Sequence, residues 1–410
     1  MNGKSFYIVG QLQFIGFNFL FSLAAAHALG PQLMGQWQTV LLISSYAPAL
    51  CFGVVNGLGR ELPFSLGEGR PDAVQSAIAT TSRVVLSIAL SLVILIPLIA
   101  RVPGIDSFLI AGIIIGLSVA RVVNGFSTIL LRSLQKFTRL GLHQTLSAIT
   151  LAGAMLILQW NASLLAVAIG MTLSLLVASV LAAPFVTFSE ATLVTAAKLV
   201  RSGLPIYAAG LLFALLGSVD RWLVLYFLGT QFLGLYTPAI MAFAIITVSP
   251  MLVSNIKYPH LGYIYGKSKS VTELLPEIRR IILLNFGISS IVSATGFLVM
   301  YYLLIPYVLP EYQQGLRAMA IIFACGLVLP IGQSFGDLFN VIGRQRVYLQ
   351  NMAAGFVINL ATGGFLLGAA GWGLEGVSVG AFAGVSTFSA LQIVSYRTLL
   401  RESSTTKTLT

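Results

Sequence analysis

The sequence predicts an all-α integral membrane protein with twelve transmembrane helices, arranged as two pseudo-symmetric six-helix lobes around a central cavity. Only 9% of the 410 residues are charged, whereas 57% are hydrophobic and the mean hydropathy is +0.93. Twelve apolar stretches of roughly 20 residues, the length that crosses a bilayer, follow one another along the chain. A short pattern also recurs half a chain later. A soluble domain with so few charges would lack polar surface, so lipid is the expected solvent.

The twelve stretches are bounded by charged residues, Gly or Pro, and short connectors separate them. Each is interpreted as one helix because about 20 residues at 1.5 Å per residue cover the hydrocarbon core. The predicted helices lie near 6–28, 36–58, 77–100, 107–131, 141–160, 163–187, 203–228, 233–257, 280–308, 316–342, 348–369 and 373–398.

The basic residues indicate the orientation. With an even number of spans, both termini and every second connector lie on one side of the membrane. That side holds every Lys and Arg except Arg101, Arg121, Arg221 and Arg317. Basic loops stay in the cytoplasm, so both termini are predicted to be cytoplasmic in a multi-pass protein. An odd number of spans would scramble this pattern.

Four tryptophans fall on the opposite side, which predicts an outer aromatic belt at the headgroup level. They are Trp37, Trp160, Trp222 and Trp372. The net charge of +11 is spread over cytoplasmic loops, where anionic lipid accounts for it, so nucleic acid is not an expected partner. Cys51 and Cys325 both fall in apolar spans, which predicts neither a disulfide framework nor a metal site.

An internal repeat predicts the two lobes. Leu-Gly-x-Gln-apolar-apolar-Gly-x-aromatic begins at Leu29 after the first helix and again at Leu228 after the seventh, 199 residues later. Six helices per repeat give both halves the same topology, which is the parallel-repeat arrangement of secondary transporters. The predicted organisation is an N-terminal lobe at 1–190, a cytoplasmic linker at 191–202, a C-terminal lobe at 203–400 and a cytoplasmic tail at 401–410.

Two stretches resemble a known family. Asp220-Arg221 followed by Leu228-Gly229, Gly234 and Tyr236 resembles Wzx-type flippases of O-antigen and other lipid-linked oligosaccharides. So does Gly57-x-Gly59-Arg60-Glu61-Leu62-Pro63. These flippases belong to the multidrug/oligosaccharidyl-lipid/polysaccharide exporter superfamily. The resemblance implies a bacterial inner-membrane protein with a cationic cavity, which moves undecaprenyl-diphosphate-linked sugar units to the outer leaflet. A polysaccharide polymerase complex is the partner it implies.

Polar faces inside apolar helices are the candidate functional features. In the fourth helix Arg121, Asn124, Thr128 and Arg132 share one face; in the tenth, Gln333, Asp337, Asn340 and Arg344 do so. The functional interpretation places Arg121 and Asn124 in the cavity, because a guanidinium binds phosphate bidentately and keeps its proton in lipid. The structural alternative is that both faces hydrogen-bond inside their own lobes.

Intramembrane carboxylates are candidates for a coupling-ion site, and Asp220 and Asp337 lie inside predicted spans. As neighbours on a helix, Asp220 and Arg221 point about 100° apart and form no compact pair. Arg221 is therefore a second cavity candidate, and a structural role is the alternative for Asp220. Arg60 and Lys257 end the second and eighth helices, where they could meet the diphosphate on entry. Ordinary cytoplasmic placement of basic residues is their alternative.

Two sequence patterns match enzyme motifs but lack the structural context that those enzymes need. Gly332-x-Ser334-x-Gly336 lies within a helix, and Gly371-x-Gly373-x-x-Gly376 joins two helices without a preceding strand. No catalytic residue, cofactor or metal is therefore predicted. We expect alternating-access flipping of a lipid-linked oligosaccharide. Transport against a gradient would need coupling to protons or sodium through Asp220 or Asp337, and the sequence leaves open whether transport is coupled. The alternatives are a multidrug/cation antiporter of the same superfamily and, with less support, a membrane-embedded glycosyltransferase or ligase.

Overall fold

The structure, a computed structural model, describes residues 3–99, 108–189, 191–268 and 270–407. Arg101 and the last three residues of the predicted tail lie outside this part of the chain. All regular elements in the described part are helical, and the fold class predicted from the sequence is confirmed. The chain forms two compact units, Met1–Leu211 and Leu212–Thr410.

The main helices of the first unit are α1 to α6, and α7 begins in this unit and crosses the boundary. Their bounds are Gly3–Ser44 for α1, Val54–Gly67 for α2, Pro71–Ile94 for α3, Phe108–Ser133 for α4, Phe137–Leu158 for α5, Leu164–Ser179 for α6 and Leu193–Leu216 for α7. Short helical segments at Ala47–Cys51, Ile96–Ile99 and Val180–Phe185 lie between or after them.

The second unit continues with α8 to α14. Their bounds are Val219–Phe227 for α8, Thr230–Leu235 for α9, Thr237–Ser268 for α10, Val271–Val299 for α11, Leu316–Val341 for α12, Gln345–Gly368 for α13 and Gly373–Lys407 for α14. After α11 the chain stays helical through a π-helical segment at Met300–Leu304 and a short α-helical segment at Ile305–Tyr307. A 3₁₀-helix at Pro310–Gly315 then leads into α12.

Eleven helical stretches in the described residues are long and apolar enough to cross a membrane. The first, Gly3–Cys51, is 49 residues long, more than twice the length that one crossing needs. It contains the first predicted helix and much of the second, joined at a kink where Gly30 has φ 66° and ψ 171°. Counted as two crossings, this stretch brings the total to the twelve predicted spans.

Several predicted helix ends are wrong in detail. The second predicted helix, 36–58, is divided between α1, the turn at Ala47–Cys51 and α2, which runs on to Gly67. The ninth, 280–308, already begins at Val271, and the seventh, 203–228, begins at Leu193 and breaks after Leu216. The reason is physical: hydropathy measures the apolar length of a helix, whereas charged turns beyond the bilayer remain helical.

The repeat is visible in the backbone. Gly229, which corresponds to Gly30, has φ 86° and ψ −179°, and a helix begins at the next residue in both cases. Only glycine occupies this region of backbone space without strain. The aromatic residues that end the pattern, Trp37 and Tyr236, are both buried, at 2% and 0% exposure. The prediction that Trp37 belongs to an outer belt is therefore wrong, since its ring is part of the core of the first unit.

Replacing Gly229 with alanine is expected to destabilise the protein by about 1–3 kcal/mol, because the backbone there is strained for any residue with a Cβ. No neighbouring atom lies within 4 Å of the added carbon, so crowding contributes nothing. Gly210→Ala is the matched control, because that glycine is helical and its added carbon also meets open space. Thermal unfolding in detergent measures both, and equal melting temperatures for the two variants would contradict the expectation.

Close helix crossings depend on glycine. In the first unit, a Cβ on Gly57 of α2 would overlap the Leu199 carbonyl of α7, and one on Gly203 would overlap the Gly53 carbonyl. Small residues allow this approach of two backbones, as in many membrane helix pairs. The crossing also explains why the first unit extends to Leu211. The segment 191–202, predicted as a linker, is helical from Leu193 and packs on α2.

Candidate functional site

The clearest irregularity inside a predicted span is the break between α7 and α8. A break in lipid leaves carbonyls without their intrahelical donors, and each must find another partner. Here side chains supply the donors. Asn359 Nδ2 of α13 donates to the Leu216 carbonyl at 3.2 Å, and Arg221 Nη2 donates to the Gly217 carbonyl at 3.3 Å. The break is therefore stabilised by hydrogen bonds from named side chains.

Asp220 lies in the first turn of α8 and is 5% exposed. Its Oδ2 accepts a hydrogen bond from the Tyr236 hydroxyl at 2.9 Å, and its Oδ1 accepts one from the Arg221 backbone N–H at 2.8 Å. The Tyr236 hydroxyl also lies 3.2 Å from Ser378 Oγ of α14. A carboxylate at a helix N-terminus is favoured by the helix dipole. Asp220, Tyr236 and Ser378 are called the carboxylate cluster below.

Unpaired polar atoms surround this cluster. Thr237 Oγ1, one residue after Tyr236, and Asn359 Oδ1 are buried without a hydrogen-bond partner in the described part of the chain. Arg221 Nε is likewise buried without a hydrogen-bond partner in that part of the chain. Buried polar groups in folded proteins are almost always satisfied, by protein atoms or by ordered water, so these three atoms each have capacity for a further hydrogen bond.

Asp220 and Arg221 behave as their helical spacing predicts. The described residues contain no ion pair between them, since the guanidinium turns back to the Gly217 carbonyl while the carboxylate faces Tyr236. Arg221 is half-buried. The structure thus places the Arg221 side chain at the break; the diphosphate role predicted for it remains untested.

Asp337, the second predicted coupling-ion residue, lies in α12, four residues before that helix ends at Val341. The Ser254 hydroxyl of α10 donates a hydrogen bond to its Oδ2 at 2.6 Å. Tyr258 and Tyr348 lie within electrostatic range of this carboxylate. Asp337 is half-buried, so it is more open than Asp220 and nearer the end of its span.

In the first unit, Asn124 connects three helices. Its Nδ2 donates to the Leu175 carbonyl of α6 at 3.1 Å and lies 3.3 Å from Nε2 of His143 in α5. This geometry matches the structural alternative for the α4 face, in which polar side chains hold a lobe together. Arg121 is half-buried one turn earlier on the same helix.

Arg60 and Lys257 each have a partner within their own unit. Arg60 is exposed but lies in the middle of α2, not at the predicted helix end, because this helix continues to Gly67. Its Nη1 donates to the Ser202 carbonyl at 3.4 Å. Beside it, Glu61 pairs with Lys198 at 2.9 Å, and the hydrogen bond from Lys198 lowers the pKa of Glu61. Lys257 pairs with Glu277 at 3.1 Å. A diphosphate role for either cation requires exchange of these partners.

Sequence reasoning misses the partners of the candidate residues. It names Tyr236 only as part of the repeated motif, and it does not single out Ser378 or Asn359. It also does not connect Asn124 with His143, which is 1% exposed beside it. A positional signal exists for Tyr236 alone, because this residue closes the repeated pattern that follows the break.

Replacing Asn359 with alanine tests the break directly. The Leu216 carbonyl would lose its donor in an apolar setting, and we expect a destabilisation of about 1–3 kcal/mol. Thermal unfolding in detergent is the measurement. Asn340→Ala is the matched control, because Asn340 is half-buried and its side chain makes no hydrogen bond in the described part of the chain. A control as unstable as the variant would show that the effect is not specific to the break.

Solved structures of transporters share this fold over the whole chain. An inward-facing multidrug resistance MATE family transporter of the MOP superfamily matches with a TM-score of 0.71, 16% identity, and coverage of 98% of this chain and 96% of the other. An outward-facing one matches with a TM-score of 0.63, 15% identity and coverage of 98% and 97%. A MOP superfamily transporter from Pyrococcus furiosus, whose reversed pocket polarity suggests a different function, matches at 0.65, with 15% identity and coverage of 98% and 97%.

No protein-family model and no curated protein matches the sequence. The structural similarities therefore define the class by fold: this is a multi-pass membrane protein with the fold of MATE transporters of the MOP superfamily. The superfamily expected from the repeated motifs has this fold. The Wzx-type assignment within it is not confirmed.

Proposed function

We propose that this protein is a secondary transporter that works by alternating access and exchanges a coupling cation for an amphipathic, drug-like cation. The fold is shared with multidrug resistance transporters in inward-facing and outward-facing states, which supports an exporter over an enzyme. The observation that carries the proposal is the carboxylate cluster at a discontinuous helix. The basic loops support a bacterial inner-membrane location with both termini in the cytoplasm.

The coupling step follows from the chemistry of Asp220. A charged side chain within a bilayer costs about 2.5–3.5 kcal/mol on insertion scales, so such a residue marks an ion pathway more often than a structural contact. Oxygen atoms of Tyr236, Ser378 and Thr237 lie on or next to the cluster, and hydroxyl and carboxylate oxygens suit a proton or Na⁺. Broken helices are also where secondary transporters bind coupling ions. Asp337, bonded to Ser254, is the second coupling candidate.

Lipid-linked oligosaccharide flipping is the second candidate function, and one observation favours it. Among the membrane-spanning stretches of the first unit, Asp72 at the start of α3 is the sole carboxylate in the described residues, whereas Arg121 lies within α4. A cationic drug would find no counter-charge there, but a diphosphate would find one. The Pyrococcus furiosus transporter shows that pocket polarity varies within this fold. Undecaprenyl-diphosphate-linked glycan and a polymerase complex belong to this candidate alone.

Transport by the purified protein in proteoliposomes tests both candidates. An imposed proton or sodium gradient should drive movement of a monovalent cationic dye, while a fluorescent undecaprenyl-diphosphate sugar should not change leaflets. Sugar flipping without dye movement would reverse the ranking. The structural neighbours are transporters, so the glycosyltransferase or ligase alternative gains no support from them.

Two single arginine variants distinguish the two candidate functions further. Flipping that is lost in Arg121→Gln and retained in Arg317→Gln would support a diphosphate contact at Arg121. Arg317 is the matched control because its side chain is 86% exposed and pairs with Glu375 at 3.6 Å. Equal activity of both variants would remove Arg121 from the site.

A further inference from the structure

A groove in the first unit combines an apolar floor with basic side chains. It has a volume of about 430 Å³ and lies where α2 ends and α3 begins, with Phe185 as one wall. The lining used below consists of Leu66, Arg70, Val74, Ile78, Phe185 and Thr187. This groove is not part of the carboxylate cluster, which belongs to the second unit. It is called the basic groove.

Phe185 lies beneath two cations. The Nζ of Lys136 is 5.8 Å from its ring centroid, and the guanidinium carbon of Arg139 is 4.8 Å from it. In the described part of the chain neither cation has a carboxylate within 4.0 Å. Cation–π contacts hold both side chains in place without neutralising them, so their charge remains available to an anion.

The other charges near the groove balance one another and leave this positive charge in place. Arg70 at the rim pairs with Glu68, and Asp72 follows in the first turn of α3. Lys4 lies over the ring of Phe137, next to Lys136 in the chain, at 5.7 Å. Even with both carboxylates counted, the cations near the groove exceed the acids.

The wall of the groove is fixed by hydrogen bonds. After Phe185 the chain is non-helical, and Arg83 Nε donates to the Phe188 carbonyl at 2.9 Å. Gln75 Nε2 donates to Ser189 Oγ at 3.0 Å. The lining residue Leu66 is 43% exposed, and Phe64 beside it is 65% exposed, so apolar surface continues from the groove outwards. The groove is thus preformed, and it continues into exposed apolar surface.

We propose that the basic groove binds one anionic glycerophospholipid of the adjacent leaflet. An acyl chain would lie along Leu66, Val74 and Ile78, while the phosphate would meet Lys136 and Arg139. Basic clusters at the end of membrane helices attract anionic lipids electrostatically. Positive charge on a cytoplasmic loop attracts only the lipid headgroup. The apolar floor of this groove also provides a surface for an acyl chain, and this distinguishes the site.

The test measures lipid-specific stabilisation. Purified protein in detergent receives phosphatidylglycerol or phosphatidylcholine, and the melting temperature and the bound lipid in native mass spectra are recorded. Wild type should retain phosphatidylglycerol and gain a larger shift from it. The double variant Lys136→Gln with Arg139→Gln should lose about half of that extra shift or more, because two of the cations that attract the lipid are removed. Its melting temperature in phosphatidylcholine should be unchanged.

A control and a second variant keep the test decisive. Lys267→Gln with Arg397→Gln removes the same two charge types from exposed positions of the second unit and should keep the full shift. Leu66→Trp fills the groove without changing charge and should also reduce retention of phosphatidylglycerol. An unchanged shift in the double variant, an equal loss in the control, or equal shifts from both lipids would overturn the proposal.

Discussion

Replacing Asp220 with asparagine is expected to cause a severe loss of cation-coupled transport while the protein stays folded. Asparagine keeps the shape of the side chain. Its carbonyl oxygen can accept from the Arg221 N–H, and its amide group can donate to the Tyr236 hydroxyl, so the cluster remains connected. What is lost is the charge that a proton or Na⁺ neutralises. A hydrogen bond to a charged group is worth about 1.5–3 kcal/mol, so coupled flux should fall by about tenfold or more. Flux is measured as gradient-driven dye movement in proteoliposomes.

Two further variants locate the coupling site. Tyr236→Phe removes the hydroxyl but keeps the carboxylate, so coupling should weaken without disappearing. Asp337→Asn changes the second carboxylate, which lies nearer the end of its helix, and should retain most of the flux. Full transport by Asp220→Asn, with loss in Asp337→Asn, would move the coupling site to α12. Elution and melting temperature confirm that each variant is folded before flux is compared.

Replacing Gly57 with leucine is expected to prevent folding of the first unit. Even a single added carbon would lie 2.7 Å from the Leu199 carbonyl carbon and 2.9 Å from its Cα, both backbone atoms that cannot rotate away. Overpacking usually costs about 1–3 kcal/mol where side chains can move, and more where backbones must separate. Detergent extracts should contain little monodisperse protein, as measured by size-exclusion chromatography.

Gly112→Leu is the matched control, because that glycine also lies in a helix of the first unit and its added carbon meets open space. It should elute as wild type does. Equal yields of the two variants would show that the approach of α2 and α7 is not required. The same logic applies to Gly203, whose added carbon would overlap α2 from the other side of the crossing.

The fold is largely predictable because lipid imposes a length on every span. Apolar runs locate the crossings, and the repeated Gly30 and Gly229 motifs predict two halves of like topology. Helix ends are less predictable, since α11 continues through polar turns that hydropathy does not score. The break after Leu216 is not visible in the sequence either, because it depends on Asn359, 143 residues away, as a replacement donor.

The candidate site is predictable only in part. Asp220 stands out because a carboxylate in an apolar run is rare. Its partners do not stand out, because Tyr236 and Ser378 are common residue types that only the fold brings together. For Asn124 the sequence leaves two interpretations open, and the contacts to Leu175 and His143 are those of the structural one. Nothing in a helical spacing distinguishes a face that lines a cavity from one that packs inward.

The burial of Trp37 gives this protein an internal optical reporter. Its indole is 2% exposed, whereas Trp160, Trp372 and Trp222 are 81%, 53% and 38% exposed. The equivalent position of the second unit is Tyr236, which contributes no indole emission. When a collisional quencher is present in both the detergent and the water, the fluorescence that survives therefore comes mainly from Trp37 in the first unit. Heating the protein and following that residual, blue-shifted emission would record the loss of one half of the molecule separately from the other.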